Sequence, residues 1–178
     1  MRPAVLSFGA AVPVPATSPV RHGSATFDRT RRYRYSLTRV WAAERGTVVF
    51  VGLNPNRADA VRDDPTIRRC LGFARRWGFG ALEVVNLFAR CAPTPRALRD
   101  AAHPVGPDND VFLRDATGAA ALVVAAWGAH GTLHERDAAV RGLLRDATVP
   151  VVCLGRTAGG QPRHPLYLRA DTAPRPFS

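Results

Sequence analysis

Four short apolar runs, residues 47–53, 82–87, 121–127 and 149–154, are separated by stretches whose apolar side chains recur with helical period. Strands that alternate with helices are joined by crossovers, which make the strands parallel and lay helices on both faces of the sheet. The ordering predicts an α/β fold: a three-layer α/β/α domain around a mainly parallel, four-stranded sheet. The first helix opens at Asp64-Pro65, an N-cap followed by a proline at the first helical position. Ile67, Cys70, Leu71, Ala74 and Trp77 share its buried face, Arg68, Arg69, Arg75 and Arg76 fall away from it, and Gly78 closes it. Further helices are expected over 95–102, 107–117 and 132–147, the last burying Leu133, Ala139, Val140, Leu143 and Leu144. The basic, aromatic segment 31–41 reads equally as an added strand or a first helix.

At 178 residues the chain is long enough for one domain with a proper core. Residues 29–178 are expected to form it, behind a flexible N-terminal extension at 1–28. A signal peptide is the other reading of the first residues, but Pro13 and Pro15 interrupt its apolar run. The longest apolar stretch, 119–127, is too short to span a bilayer. Cys70, Cys91 and Cys153 have no paired spacing, which argues against a disulfide framework and a zinc site and fits buried free thiols in a cytoplasmic protein. Three thiols are also one short of the usual iron–sulfur set.

The net charge of +11 points to a polyanionic partner, nucleic acid first. All 25 basic residues are arginine, and the chain has no lysine. There is no P-loop and no dinucleotide glycine pattern after the first strand. Asp63-Asp64 invites a metal reading, but Asp64 is already accounted for as an N-cap. His103, His130 and His134 show no ligand spacing that repeats. No metal and no cofactor are expected.

Ligands of open α/β sheets bind past the carboxyl ends of the strands. The first strand ends in Gly52-Leu53-Asn54-Pro55: a glycine that permits close approach, an amide with donors and an acceptor, and a proline that stops pairing. The second ends in Asn86, with Phe88 behind it, and the third in Trp127-Gly128-Ala129-His130. Gly155-Arg156-Thr157, the Ala158-Gly159-Gly160-Gln161 loop and His164-Pro165-Leu166-Tyr167 follow the fourth. The expected meeting of these groups at one sheet edge makes a cleft of two amides, a histidine and aromatics.

Gly52-Leu53-Asn54-Pro55 resembles the first motif of the uracil-DNA glycosylase superfamily, in the Gly-x-Asn-Pro form of its mismatch-specific branch. Asn86 matches the asparagine with which many members read the uracil edge, and His164-Pro165 sits where the second motif, His-Pro-Ser-Pro, lies. The stretch from Tyr33 to Tyr167 also looks like a bacterial family catalogued as of unknown function, through Leu53-Asn54-Pro55, Asp63-Asp64-Pro65-Thr66, Arg69-Cys70, Asn86-Leu87-Phe88, Ala126-Trp127-Gly128 and His164-Pro165-Leu166-Tyr167. Leu166 and Tyr167 replace the later motif's serine and second proline, and Asn56 replaces the glycine usual after Asn-Pro.

The resemblance implies a monofunctional glycosylase acting on uracil, or a related deaminated or damaged base, in DNA. It gives Asn54 and His164 the catalytic roles, as water holder and as donor to the base. Gly52, Leu53 and Asn86 would bind the base, with Phe88 or Phe73 beneath it. Arg57, Arg156 and Arg163 would hold phosphates, and Leu168 would intercalate. Asp59 and Asp63 are alternative activators of water. The partner is DNA and the expected state a monomer. Two competing readings keep the fold: a nucleic-acid-binding module without catalysis, and a hydrolase of another modified base or nucleotide.

Overall fold

The computed structural model describes residues 12–16 and 18–177. The fold is α/β, and the described residues form one seven-stranded mixed sheet and four α-helices. The strands are β1 (His22–Phe27), β2 (Arg34–Val40), β3 (Thr47–Gly52), β4 (Ala81–Asn86), β5 (Leu122–Ala125), β6 (Val151–Cys153) and β7 (Arg175–Pro176), in the spatial order β1-β2-β4-β3-β5-β6-β7. The helices are α1 (Pro65–Arg76), α2 (Pro95–Arg99), α3 (Asn109–Ala119) and α4 (Arg136–Arg145).

The four strands expected from apolar runs are β4-β3-β5-β6, and all three pairings among them are parallel. The expected total of four strands is corrected to seven. β2 joins antiparallel to β4, β1 antiparallel to β2, and β7 antiparallel to β6. The open segment 31–41 is therefore mostly strand. Burial in β3 alternates between the two faces, as the two-residue strand period requires. Val48 and Phe50 pack with Ile67, Phe73 and Trp77 of the α1 layer, whereas Val49 and Val51 pack with Leu113, Val140 and Trp127 on the other face.

Asp64 caps α1, its carboxylate accepting from the Ile67 N–H at 2.9 Å, and all five residues expected on the inner face of the helix are buried. The last expected helix is shorter. A 3₁₀ segment, Ala129–Glu135, precedes α4, and the break falls at His134 and Glu135, whose φ values are 52° and 55°. Ala139 is exposed rather than buried, and Leu133 and Leu143 are half-buried.

The boundary expected at residue 28 moves toward the N-terminus. β1 is part of the sheet, and the Arg75 guanidinium donates to the carbonyls of Ala16 and Ser18 at 2.7 and 2.6 Å. The Val14 N–H donates to the carbonyl of Arg75 at 2.9 Å. Residues 1–11 of the expected extension lie outside the described residues. Among the described residues, no helix is long and apolar enough to cross a membrane.

Candidate active site

Because β4-β3-β5-β6 are parallel, their carboxyl ends share one edge of the sheet. The chain leaves β3 for α1 on one face and leaves β5 for α4 on the other, so a crevice opens between those two exits. It forms a cleft of about 560 Å³, within the ~300–1,000 Å³ usual for small-molecule sites. Gly52, Leu53 and Asn54 line it from β3, Asn86 from β4, Trp127, Gly128 and His130 from the β5 exit, and Arg163 and His164 from the loop after β6.

Asn86 is 3% exposed, and its Nδ2 has no hydrogen-bond partner among the described residues. A donor left unpaired in a buried wall of a cleft is a place for an acceptor on a ligand. The backbone behind it is held firmly: Asn109, fully buried, donates from Nδ2 to the carbonyls of Asn86 and Leu87 at 3.0 Å each.

Asn54 donates from Nδ2 to the carbonyls of Pro55 (2.9 Å) and Ala92 (2.8 Å). Both amide protons are thereby engaged, which leaves the carbonyl Oδ1 as the group offered to a ligand or water. His164 caps a 3₁₀ turn, Pro165–Tyr167, its Nδ1 accepting from the Leu166 N–H at 3.3 Å. That contact fixes the neutral tautomer with the proton on Nε2. Burial pushes the pKa of His164 below the usual histidine value, and the negative charge of Asp64 opposes the shift. Gly128, at φ 77°, lets the β5 exit approach the histidine: a Cβ there would stand 3.4 Å from that of His164.

Several expected site residues lie outside the cleft. Phe88 is fully buried away from the cleft, and Phe73 packs on Trp77 with centroids 5.3 Å apart, so neither lines it. Leu168 is buried in the α1-side core rather than exposed for intercalation. Arg57 is exposed outside the cleft, and the Arg156 guanidinium lies 4.7 Å over the Phe177 ring. Asp63 pairs with Arg39 at 2.8 Å, and Asp59 accepts from the Val61 and Arg62 N–H groups at 2.8 Å each, so neither carboxylate lines the cleft. The glycine-rich loop is the tip of a small hairpin, closed by the Thr157 N–H donating to Gln161 O at 2.7 Å.

Three lining residues, Arg34, Asp64 and Tyr167, were given no role in the site from sequence. Arg34, at the start of β2, reaches this edge because β2 runs antiparallel to β4. Asp64 is the one carboxylate lining the cleft among the described residues. Tyr167 is 77% exposed, with its ring 5.6 Å from that of His164, and supplies the open aromatic face that Phe73 and Phe88 do not. Its place directly after His164-Pro165-Leu166 was the available signal. Among the described residues, no group of three or more His, Cys, Asp or Glu side chains is disposed to hold a metal ion.

No curated protein and no solved structure gives a significant match to the chain. Residues 34–166 match the family described as "Protein of unknown function (DUF1643)", a span that runs from Arg34 through His164, and the chain belongs to that family.

Proposed function

We propose that the chain is a monofunctional DNA glycosylase, hydrolysing the N-glycosidic bond of uracil or a related deaminated or damaged base during base excision repair. The observation that carries this reading is the unpartnered, buried amide nitrogen of Asn86 in a cleft shared with Asn54 and His164. A buried donor without a partner costs roughly 1–3 kcal/mol. A base carbonyl at that wall would relieve it. The resemblance of Gly52-Leu53-Asn54-Pro55, Asn86 and His164-Pro165 to uracil-DNA glycosylase motifs supports the same reading, as does the parallel β4-β3-β5-β6 core for a glycosylase-like fold.

In this reading the duplex yields its base by flipping, at a cost of about a few kcal/mol, and stacking on Tyr167 returns ~1–3 kcal/mol. Asn86 meets O4 and N3 of uracil. Cytosine presents the opposite donor and acceptor pattern there and is disfavoured. The C1′–N1 bond then breaks with its electron pair moving to the base, so negative charge grows on O2 while the sugar becomes oxocarbenium-like. Neutral His164 donates its Nε2–H to O2, a contribution of roughly 3–4 kcal/mol for a preorganised donor. Water held by Asn54 Oδ1 adds to C1′ and releases its proton to the departing base or to solvent. An amide positions that water without deprotonating it, which suffices for so electrophilic a carbon. Arg57 and Arg163, with the net charge of +11, attract the phosphates.

The test is incubation with single- and double-stranded oligonucleotides carrying uracil, hypoxanthine or hydroxymethyluracil, followed by alkaline cleavage. Product that disappears in Asn54→Ala and His164→Ala supports the proposal. Absence of product on every substrate, at neutral and acid pH, sinks it. Binding without turnover would leave the nucleic-acid-binding module standing.

A further inference from the structure

Arg34, Arg39 and Arg136 are buried in the fold, and two of them carry a carboxylate. Arg39 pairs with Asp63 at 2.8 Å, and Arg136 pairs with Asp110. Arg34 is as deeply buried as Arg39, at 2% exposed, yet no carboxylate among the described residues comes within ion-pairing distance of it. Its Nη1 donates to the Ala58 carbonyl at 2.7 Å, and its Nε–H has no partner among the described residues. A guanidinium presents five N–H donors in a planar fork, and among the described residues the one side-chain bond of this fork is that to Ala58, while it lines the cleft. Asp64 and Asp59 act on it through space without contact. Cys91, which also lies near it, is held neutral by burial. Removing one partner of a buried ion pair is strongly destabilising, so a fold that keeps Arg34 unpaired at a ligand-sized opening has left its counter-charge to the ligand.

We propose that Arg34 makes this cleft a receptor for an oxyanion, carried on the same molecule whose heterocycle meets Asn86. The oxyanion is the phosphate of a pyrimidine nucleotide or a carboxylate on the base itself, and either forms paired N–H···O bonds to a guanidinium. This inference rests on the cleft being a base-binding site, as proposed above, and not on bond cleavage.

Calorimetric titration of the full chain at low salt provides the test, using two matched pairs: deoxyuridine monophosphate against deoxyuridine, and 5-carboxyuracil against uracil. The expected result is at least tenfold tighter binding of the anionic member in one pair, and the pair that shows it identifies the source of the oxyanion. Equal affinities, within twofold, in both pairs overturn the inference. In Arg34→Gln the preference should vanish while the neutral ligand still binds; a retained preference rules Arg34 out. Should that variant fail to fold, Asp64→Asn serves instead, because asparagine also caps helices. Loss of the nearby negative charge should tighten the anionic ligand at least threefold, and an unchanged affinity counts against Arg34. Base release without an anion preference overturns this inference alone. An anion preference without base release overturns the glycosylase reading alone.

Discussion

Gly52 and Asn86 are register partners on adjacent parallel strands, and a Cβ on Gly52 would stand 2.8 Å from the Asn86 Oδ1. The missing side chain of one residue is thus the space taken by the amide of the other. Gly52→Ala would push on the end of a side chain rather than on backbone, so the fold should tolerate it at about 1 kcal/mol, the low end for an added methyl. The amide, however, would have to turn. A drop of tenfold or more in base release or ligand affinity is expected with little change in Tm. Gly80 supplies the contrast: a Cβ there collides with the Ala42 backbone carbonyl, so Gly80→Ala should lower Tm steeply. Loss of stability in Gly52→Ala comparable to that in Gly80→Ala would contradict this account.

The environment of His164 sets a pH dependence. Burial lowers its pKa in the folded state, so between that value and the ordinary histidine pKa the unfolded chain binds more protons than the native one. Stability from this group is therefore complete above the unfolded pKa and is lost as pH falls through the folded one. Protonation would also set an Nδ1–H against the Leu166 N–H that Nδ1 now accepts. Melting temperatures between pH 8 and 5 should fall more for the wild type than for His164→Gln. Activity carried by the neutral ring should persist below the pH at which an exposed histidine titrates. Parallel melting curves for the two proteins would remove the argument.

Legibility in the sequence followed burial on two faces. The parallel core strands were visible because both of their faces are covered, giving continuous apolar runs such as Val48-Val49-Phe50-Val51. β1 was not, because it is an edge strand of mostly half-exposed residues, His22 to Phe27, and reads like any polar linker. β2 was ambiguous because Arg34 and Arg39 occupy buried positions that an apolar residue would have marked. The same disguise hid Arg34 from the site. Asn54, Asn86 and His164 were legible together because topology brings strand ends to one edge whatever the details of the loops. Phe73 and Phe88 were misassigned because an aromatic near a site in sequence carries no sign of which way its strand or helix turns it. The Ala158-Gly159-Gly160 tip drew attention through its glycines, which the hairpin uses for its turn.

Gln161 should prove structural rather than catalytic. Its Oε1 accepts from Trp127 Nε1 at 2.8 Å and its Nε2 donates to Asp137 Oδ2 at 2.7 Å, tying the β5 exit to α4 through one buried amide. Gln161→Leu fills the volume but abandons both partners, and a destabilisation of about 2–4 kcal/mol is expected, since two buried polar groups lose their bonds. Urea denaturation measures it. The residual activity of the folded fraction should stay near that of the wild type. A variant of native stability with impaired turnover would reverse the assignment.

The absence of lysine makes a chemical prediction that charge alone does not. Glycosylases that also nick the strand commonly proceed through an amine that forms a Schiff base with the opened sugar. No side chain here can supply that amine, and arginine remains protonated. Base release should therefore leave an intact abasic strand that breaks only on alkaline treatment, and borohydride should trap no covalent protein–DNA adduct. Because arginines would carry the phosphate contacts, binding to the oligonucleotide should weaken steeply with salt, by about 10³-fold or more between 50 and 200 mM if roughly six phosphates are neutralised. Gel analysis before and after alkali, with binding measured across that salt range, examines both halves together. Strand scission without alkali would point to the N-terminal amine as the nucleophile, and a flat salt dependence would remove DNA as the partner while leaving the cleft free to act on a small nucleotide.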